Sequence, residues 1–126
     1  MNSLAFQIHY NTFSAFALAS RLFGREPPLP TTKAGPSTYA EARTRIQRVL
    51  DVLGICEQEQ VNAVGETMTT YPRRAGEVEV PVKVVAAQVI MPNVYFHTAM
   101  AYAVLRKEGV PLGKRHWSRG FVGEYL

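Results

Sequence analysis

Cysteine is nearly absent from this sequence. Among 126 residues there is one, Cys56, which excludes an intramolecular disulfide framework and any metal site built from several thiolates. It follows Gly54-Ile55 with no histidine beside it, so it lacks the neighbour that would activate a thiol and reads as structural. No run of eighteen apolar residues exists, so no membrane span is expected. The first twenty residues have no basic start, and Gln7, His9 and Asn11 interrupt their apolar stretch. Ala17-Leu18-Ala19 therefore belongs to a helix and not to a cleaved leader. Missing too are a GxSxG nucleophile turn, a dinucleotide fingerprint, a paired acidic cluster, internal repeats and low-complexity runs. With so little cysteine and no export signal, a cytoplasmic protein is expected.

What remains is globular in character. Hydrophobic residues make up 47% and charged residues 19%, enough for one packed domain over residues 1–126. The net charge is +4, but the cations are scattered and cluster only at Arg106, Lys107, Lys114, Arg115 and Arg119. A nucleic-acid reader would interleave aromatics with a basic face, so no nucleic-acid partner is expected.

Helical periodicity dominates. Ser3 to Phe23 carries two apolar stripes, Phe6-Tyr10-Phe13-Ala17 and Leu4-Ile8-Ala15-Leu18-Leu22, with Arg21 its one charge and Gly24 its stop. A helix apolar on two sides is buried on two sides. Four prolines between Pro27 and Pro36 impose a loop. Thr38 and Glu41 then form a capping box for an amphipathic helix whose apolar face is Tyr39, Ala42, Ile46, Val49, Leu50 and Leu53, ended by Gly54. Glu66–Tyr71 and Glu77–Val80 are β-prone around the turn-like residues 72–76, which predicts a small hairpin at about 66–80. From Val82 to Lys107 the pattern is one long helix, kinked near residue 88 by Pro92 and closed by Gly109. The remainder is a glycine-punctuated tail whose Trp117, Phe121 and Tyr125 pack back across the fold.

Three segments near the C-terminus carry a resemblance. Met91-Pro92-Asn93-Val94-Tyr95-Phe96-His97, then Ala101-Tyr102-Ala103-Val104-Leu105-Arg106, then Gly109-Val110-Pro111-Leu112-Gly113-Lys114-Arg115, resemble the end of the family known as domain of unknown function 1993. Weaker similarity runs back through the Thr38 helix to Arg21-Leu22 and Gln7-Ile8. The resemblance implies an all-α, DinB-like helical bundle, here with three long helices, the last kinked at Pro92. Some DinB-type proteins hold a metal through three histidines, but no family-wide activity is implied. This chain departs from relatives in having Phe13-Ser14 where an Asp-His pair is frequent, and His116-Trp117 where an Asp-aromatic pair is common. Members usually begin with a further helix ahead of the one that starts here at Ser3.

His97 is the leading candidate for chemistry. Val94, Ala101 and Val104 share its helix face, and the small Ala101 leaves room beside the ring. An imidazole next to an apolar pocket can act as acid or base near neutral pH. It can equally be a core histidine satisfied by one hydrogen bond. Tyr95 and Tyr102 are seven residues apart on a second face, and their hydroxyls can orient a substrate or serve packing. Catalytic roles are therefore assigned to His97, Tyr95 and Tyr102, with His9, Tyr10, Phe13, Asn93 and Ala101 lining the ligand site and Asn11 nearby. No metal and no cofactor are expected. His9, His97 and His116 lack histidine partners at helical spacing, since Phe13 and Ala101 stand four residues after the first two. The segment from Gly109 to Lys114 is no phosphate loop, because it lacks a strand before it and a helix after it.

Two readings of function follow. In one, the bundle binds an apolar small molecule and acts on it without a cofactor, as an isomerase, cyclase or dehydratase would. In the other it is a non-catalytic binding or interaction module. Both expect a homodimer, because three helices cannot cover the apolar faces of the first and the last.

Overall fold

The computed structural model describes residues 2–23 and 35–122. Gly24, the proline-rich loop from Pro27 onward and Tyr125 lie outside the described residues, as do the side chains of Phe121 and its neighbours. The chain forms α1 (Leu4–Phe23), α2 (Tyr39–Gly54), α3 (Gln58–Gly65), β1 (Met68–Arg73), β2 (Gly76–Pro81), α4 (Val82–Val85), a π turn (Ala86–Ile90), α5 (Met91–Lys107) and α6 (Lys114–Val122). The architecture is a helical bundle with one antiparallel hairpin.

The amphipathic helix starts where its capping residues place it. Thr38 is extended, and its hydroxyl accepts from the Glu41 amide at 3.1 Å. Glu41 returns the contact one residue further out than the usual box, accepting from the Ser37 amide at 2.7 Å. Of its apolar face, Ala42 and Val49 are buried, and Val49 joins Ala15 and Phe16 of α1 in a core flanked by Val52 and Leu53. Tyr39, Ile46 and Leu50 do not follow; they remain exposed.

α3 was not expected. Only Val61, Val64 and Gly65 are even partly buried in its eight residues, too short a signal to register as a period. The hairpin falls where predicted, with register Met68↔Pro81 through Arg73↔Gly76, and its strands take in Pro72 and Arg73. Two residues, Arg74 and Ala75, make the turn, and Gly76 enters the second strand at φ 114°. At the hairpin's base the Val82 amide donates to the Thr67 carbonyl at 2.9 Å, and the Arg21 guanidinium lies 6.0 Å from the Tyr71 ring centroid.

The last long helix runs from Val82 to Lys107, but its irregularity is not a simple proline break. The Met91 amide reaches the Ala86 carbonyl five residues back, and Ala86–Ile90 form a π turn immediately before Pro92, which sits in the first turn of α5. A proline in a regular helix collides with the carbonyl four residues before it, here that of Gln88. The widened turn is the way this helix accommodates the ring, with helical backbone angles on both sides. Val85 is 1% exposed and anchors the rod in the core with Val82 and Ile90.

Gly109, at φ 87°, closes α5, with the Val110 amide donating to the Leu105 carbonyl at 3.0 Å. The tail that follows is a helix, α6, whose Trp117 packs edge to face on Tyr102 with centroids 5.7 Å apart. A helix therefore does follow Gly109–Lys114, but a helix and not a strand precedes that segment, and it stays without phosphate-loop geometry. Among the described residues no helix is long and apolar enough to cross a membrane.

Candidate functional site

The strongest surprise in α1 is which face it buries. Gln7, Thr12 and Ser14 are 3%, 3% and 6% exposed, whereas Phe13 is 51% exposed. The Phe6-Tyr10-Phe13 stripe expected to be buried thus lies at the edge, and polar side chains face α5. Gln7, Asn11 and Ser14 recur at helical i, i+4, i+7 spacing and form a ladder with the family motif on the facing helix. Gln7 Oε1 lies 2.8 Å from His97 Nδ1. The Asn11 amide donates to the Val94 carbonyl at 3.0 Å and to the Thr98 hydroxyl at 2.5 Å. The Asn93 amide donates to the Ser14 hydroxyl at 2.6 Å. Pairing 7 with 97, 11 with 94 and 98, and 14 with 93 sets α1 antiparallel to α5 and fixes their register.

His97 is 7% exposed. The Gln7 amide nitrogen donates to the Asn2 carbonyl at 3.3 Å, which turns the amide oxygen toward the imidazole. Nδ1 therefore carries the hydrogen, and Nε2 carries the lone pair in the neutral ring. Burial pushes the His97 pKa below the ordinary imidazole value, so the neutral form prevails at neutral pH. Three aromatic rings surround it. Tyr10 stacks at 5.4 Å, Phe96 meets it edge-on at 5.2 Å, and Phe6 lies 6.1 Å away.

Tyr10 also touches His9, at 5.1 Å between centroids, so it stands between two imidazoles. His9 stacks on Phe13 at 6.3 Å, and its Nδ1 is buried without a hydrogen-bond partner among the described residues. Its pKa is lowered by burial and, secondarily, by the charge of Arg45. Arg45 Nε donates to the Thr12 hydroxyl at 2.7 Å, which in turn donates to the Ile8 carbonyl at 2.7 Å.

The expected site residues therefore do not all come together. His97, Tyr10, His9 and Phe13 come together in one ring cluster. Asn93 is taken up by Ser14 in the helix–helix ladder. Tyr102 belongs to another neighbourhood, against Trp117 and 5.9 Å from the Arg106 guanidinium. Tyr95 is 47% exposed, and two residues along a helix place it on the side of α5 opposite His97. Ala101, half-buried, lies one turn beyond His97. Gln7, Phe6 and Phe96 complete the cluster, although the sequence reading assigns none of them to the site. The recurrence of Gln7, Asn11 and Ser14 along an otherwise apolar helix was the available signal.

A three-histidine metal centre does not fit this arrangement. Among the described residues no group of three or more histidine, cysteine, aspartate or glutamate side chains is placed to hold an ion. Ser14, at the position of the frequent histidine, is engaged by Asn93. Cys56 is structural: its Sγ is 3.7 Å from the Val52 carbonyl, and burial raises its pKa, the opposite of an activated thiol.

No curated protein matches the chain. Among solved structures it is similar to a DinB family member protein from Shewanella denitrificans, at 29% identity and a TM-score of 0.77, over 91% of this chain and 64% of that one. The chain thus spans somewhat less than two thirds of that relative's length. Residues 1–118 match the family described as domain of unknown function (DUF1993), and with its DinB-like fold the chain belongs to that family.

Proposed function

We propose that the protein binds an apolar, ring-bearing small molecule against the Phe6, Tyr10 and Phe96 rings and assists its conversion through His97. The observation that carries this reading is the state of the His97 ring: buried, neutral, and held by Gln7 so that the basic electron pair falls on Nε2. A neutral imidazole can remove a proton from one position of a bound molecule and return it at another. Isomerisation, cyclisation and dehydration all need such transfers and no redox cofactor. Tyr10, stacked on His97, is the hydroxyl of the cluster best able to orient the bound molecule. Ligand-observed NMR with p-cresol and indole as probes tests the binding step, together with the His97 Cε1–H resonance of the full chain. Saturable binding that shifts this resonance and is lost in His97→Ala supports the proposal. Probes that leave the resonance unmoved at millimolar concentration overturn it.

A second reading has its own support. Tyr10, Phe13 and Phe96 are 39%, 51% and 56% exposed. Under this reading a second copy of the chain covers these rings, the protein is a homodimeric interaction module, and the Asn93 and His97 motif serves helix packing. Absence of any ligand response combined with a stable dimer favours it.

A further inference from the structure

The C-terminal half of α5 holds a recess separate from the His97 cluster. Ala99, Tyr102, Lys114 and Trp117 line a cavity of about 270 Å³ between α5 and α6. Tyr102 and Trp117 meet at 78°, so they form a corner of two aromatic walls and not a stack, with the small Ala99 as its floor. Lys114 lines the corner with its aliphatic stem, and its ammonium, within reach of the mouth, pairs with no carboxylate among the described residues. Between Val82 and Val122 the sequence has a single acid, Glu108, and Lys107 holds it at 3.1 Å. Arg106, Arg115 and Arg119 are all exposed on the same two helices. Lys114 and Arg115 stand in the first turn of α6, where the helix dipole disfavours positive charge and no acid compensates. The recess is thus apolar and aromatic inside, with positive charge near its mouth that no acid among the described residues compensates.

We propose that this corner binds a planar aromatic carboxylate. The ring lies over Ala99 in the open angle of Tyr102 and Trp117, and the carboxylate meets the Lys114 ammonium. A cavity of this volume takes one or two fused rings. With a shallow seat and one exposed ion pair, the dissociation constant is on the order of a millimolar.

Trp117 is the only tryptophan in the chain, so its fluorescence reports this corner directly. The chain of residues 1–126 is titrated with benzoate, and with benzyl alcohol and benzylamine as neutral and cationic counterparts. Benzoate is expected to change the emission saturably, with affinity about three- to five-fold above that of benzyl alcohol, a preference lost at high salt. Lys114→Met is expected to weaken benzoate about three- to five-fold and to erase the preference for it over benzyl alcohol, while Lys114→Arg retains both. Lys114 is exposed, so an unchanged melting temperature shows that these variants fold. Equal responses to benzoate and benzyl alcohol, undiminished affinity in Lys114→Met, or no saturable change in the wild type each overturns the proposal.

Discussion

Gln7 and His97, ninety positions apart, meet at 2.8 Å across the seam between α1 and α5. The contact joins the start of the first helix to the family motif and fixes which imidazole nitrogen stays free. Removing the amide while leaving the ring buried strips Nδ1–H of its acceptor. Gln7→Leu is expected to lower stability by about 1–3 kcal/mol, the range for orphaning a buried polar group. Urea unfolding measures this, and a change within 0.5 kcal/mol (the order of about 0.5 kcal/mol seen for surface substitutions) would assign the contact no role.

Gln7→Glu tests the electrostatics of the same contact. A carboxylate at Nδ1 stabilises the charged imidazolium, so the His97 pKa is expected to rise. An NMR titration of the ring reads it; an unmoved or lowered midpoint would contradict the placement of Gln7.

Stability is expected to fall with acid through the two imidazoles of the cluster. Burial lowers the pKa of both His97 and His9 in the folded chain, so below the ordinary value of 6.5 the unfolded chain binds more protons than the folded one. The contribution is fully present above that value and is lost as the pH descends from 6.5 through the lowered folded values. Urea midpoints should therefore be level near neutral pH and decline below it, and His97→Gln should flatten part of that decline. A midpoint that rises on acidification reverses the sign and rejects the assignment.

The ladder makes Asn93 and Ser14 energetically coupled. Asn93→Ala is expected to cost about 1 kcal/mol, with Ser14→Ala adding much less than its separate effect when the two are combined. Additive effects in the double-mutant cycle would mean that the 2.6 Å contact contributes no stability.

The exposed rings make an oligomer test a direct check on the interaction-module reading. If a second copy covers them, light scattering at low micromolar concentration gives twice the 14.0 kDa chain mass, and Phe13→Glu returns the monomer. Such an interface should bury above about 2,000 Å². A monomeric wild type, or a dimer indifferent to Phe13→Glu, removes that reading.

Local chemistry determined much of the fold from sequence alone. Thr38 and Glu41 start α2 because a side-chain oxygen and a carboxylate satisfy amides that the helix itself cannot. Gly109 ends α5 because the chain there takes a positive φ that suits glycine. The β-prone segments around residues 72–76 make the hairpin, and the family motif identifies the bundle. Tertiary structure alone decided which face of α1 turns inward. Periodicity ranks residues by hydrophobicity and so selected Phe6, Tyr10 and Phe13; the antiparallel approach of α5 supplied hydrogen-bond partners for Gln7, Asn11 and Ser14, which removed the penalty for burying them. The same packing separated Tyr102 from His97, since a helix turns 100° per residue and residues close in sequence need not share a neighbour.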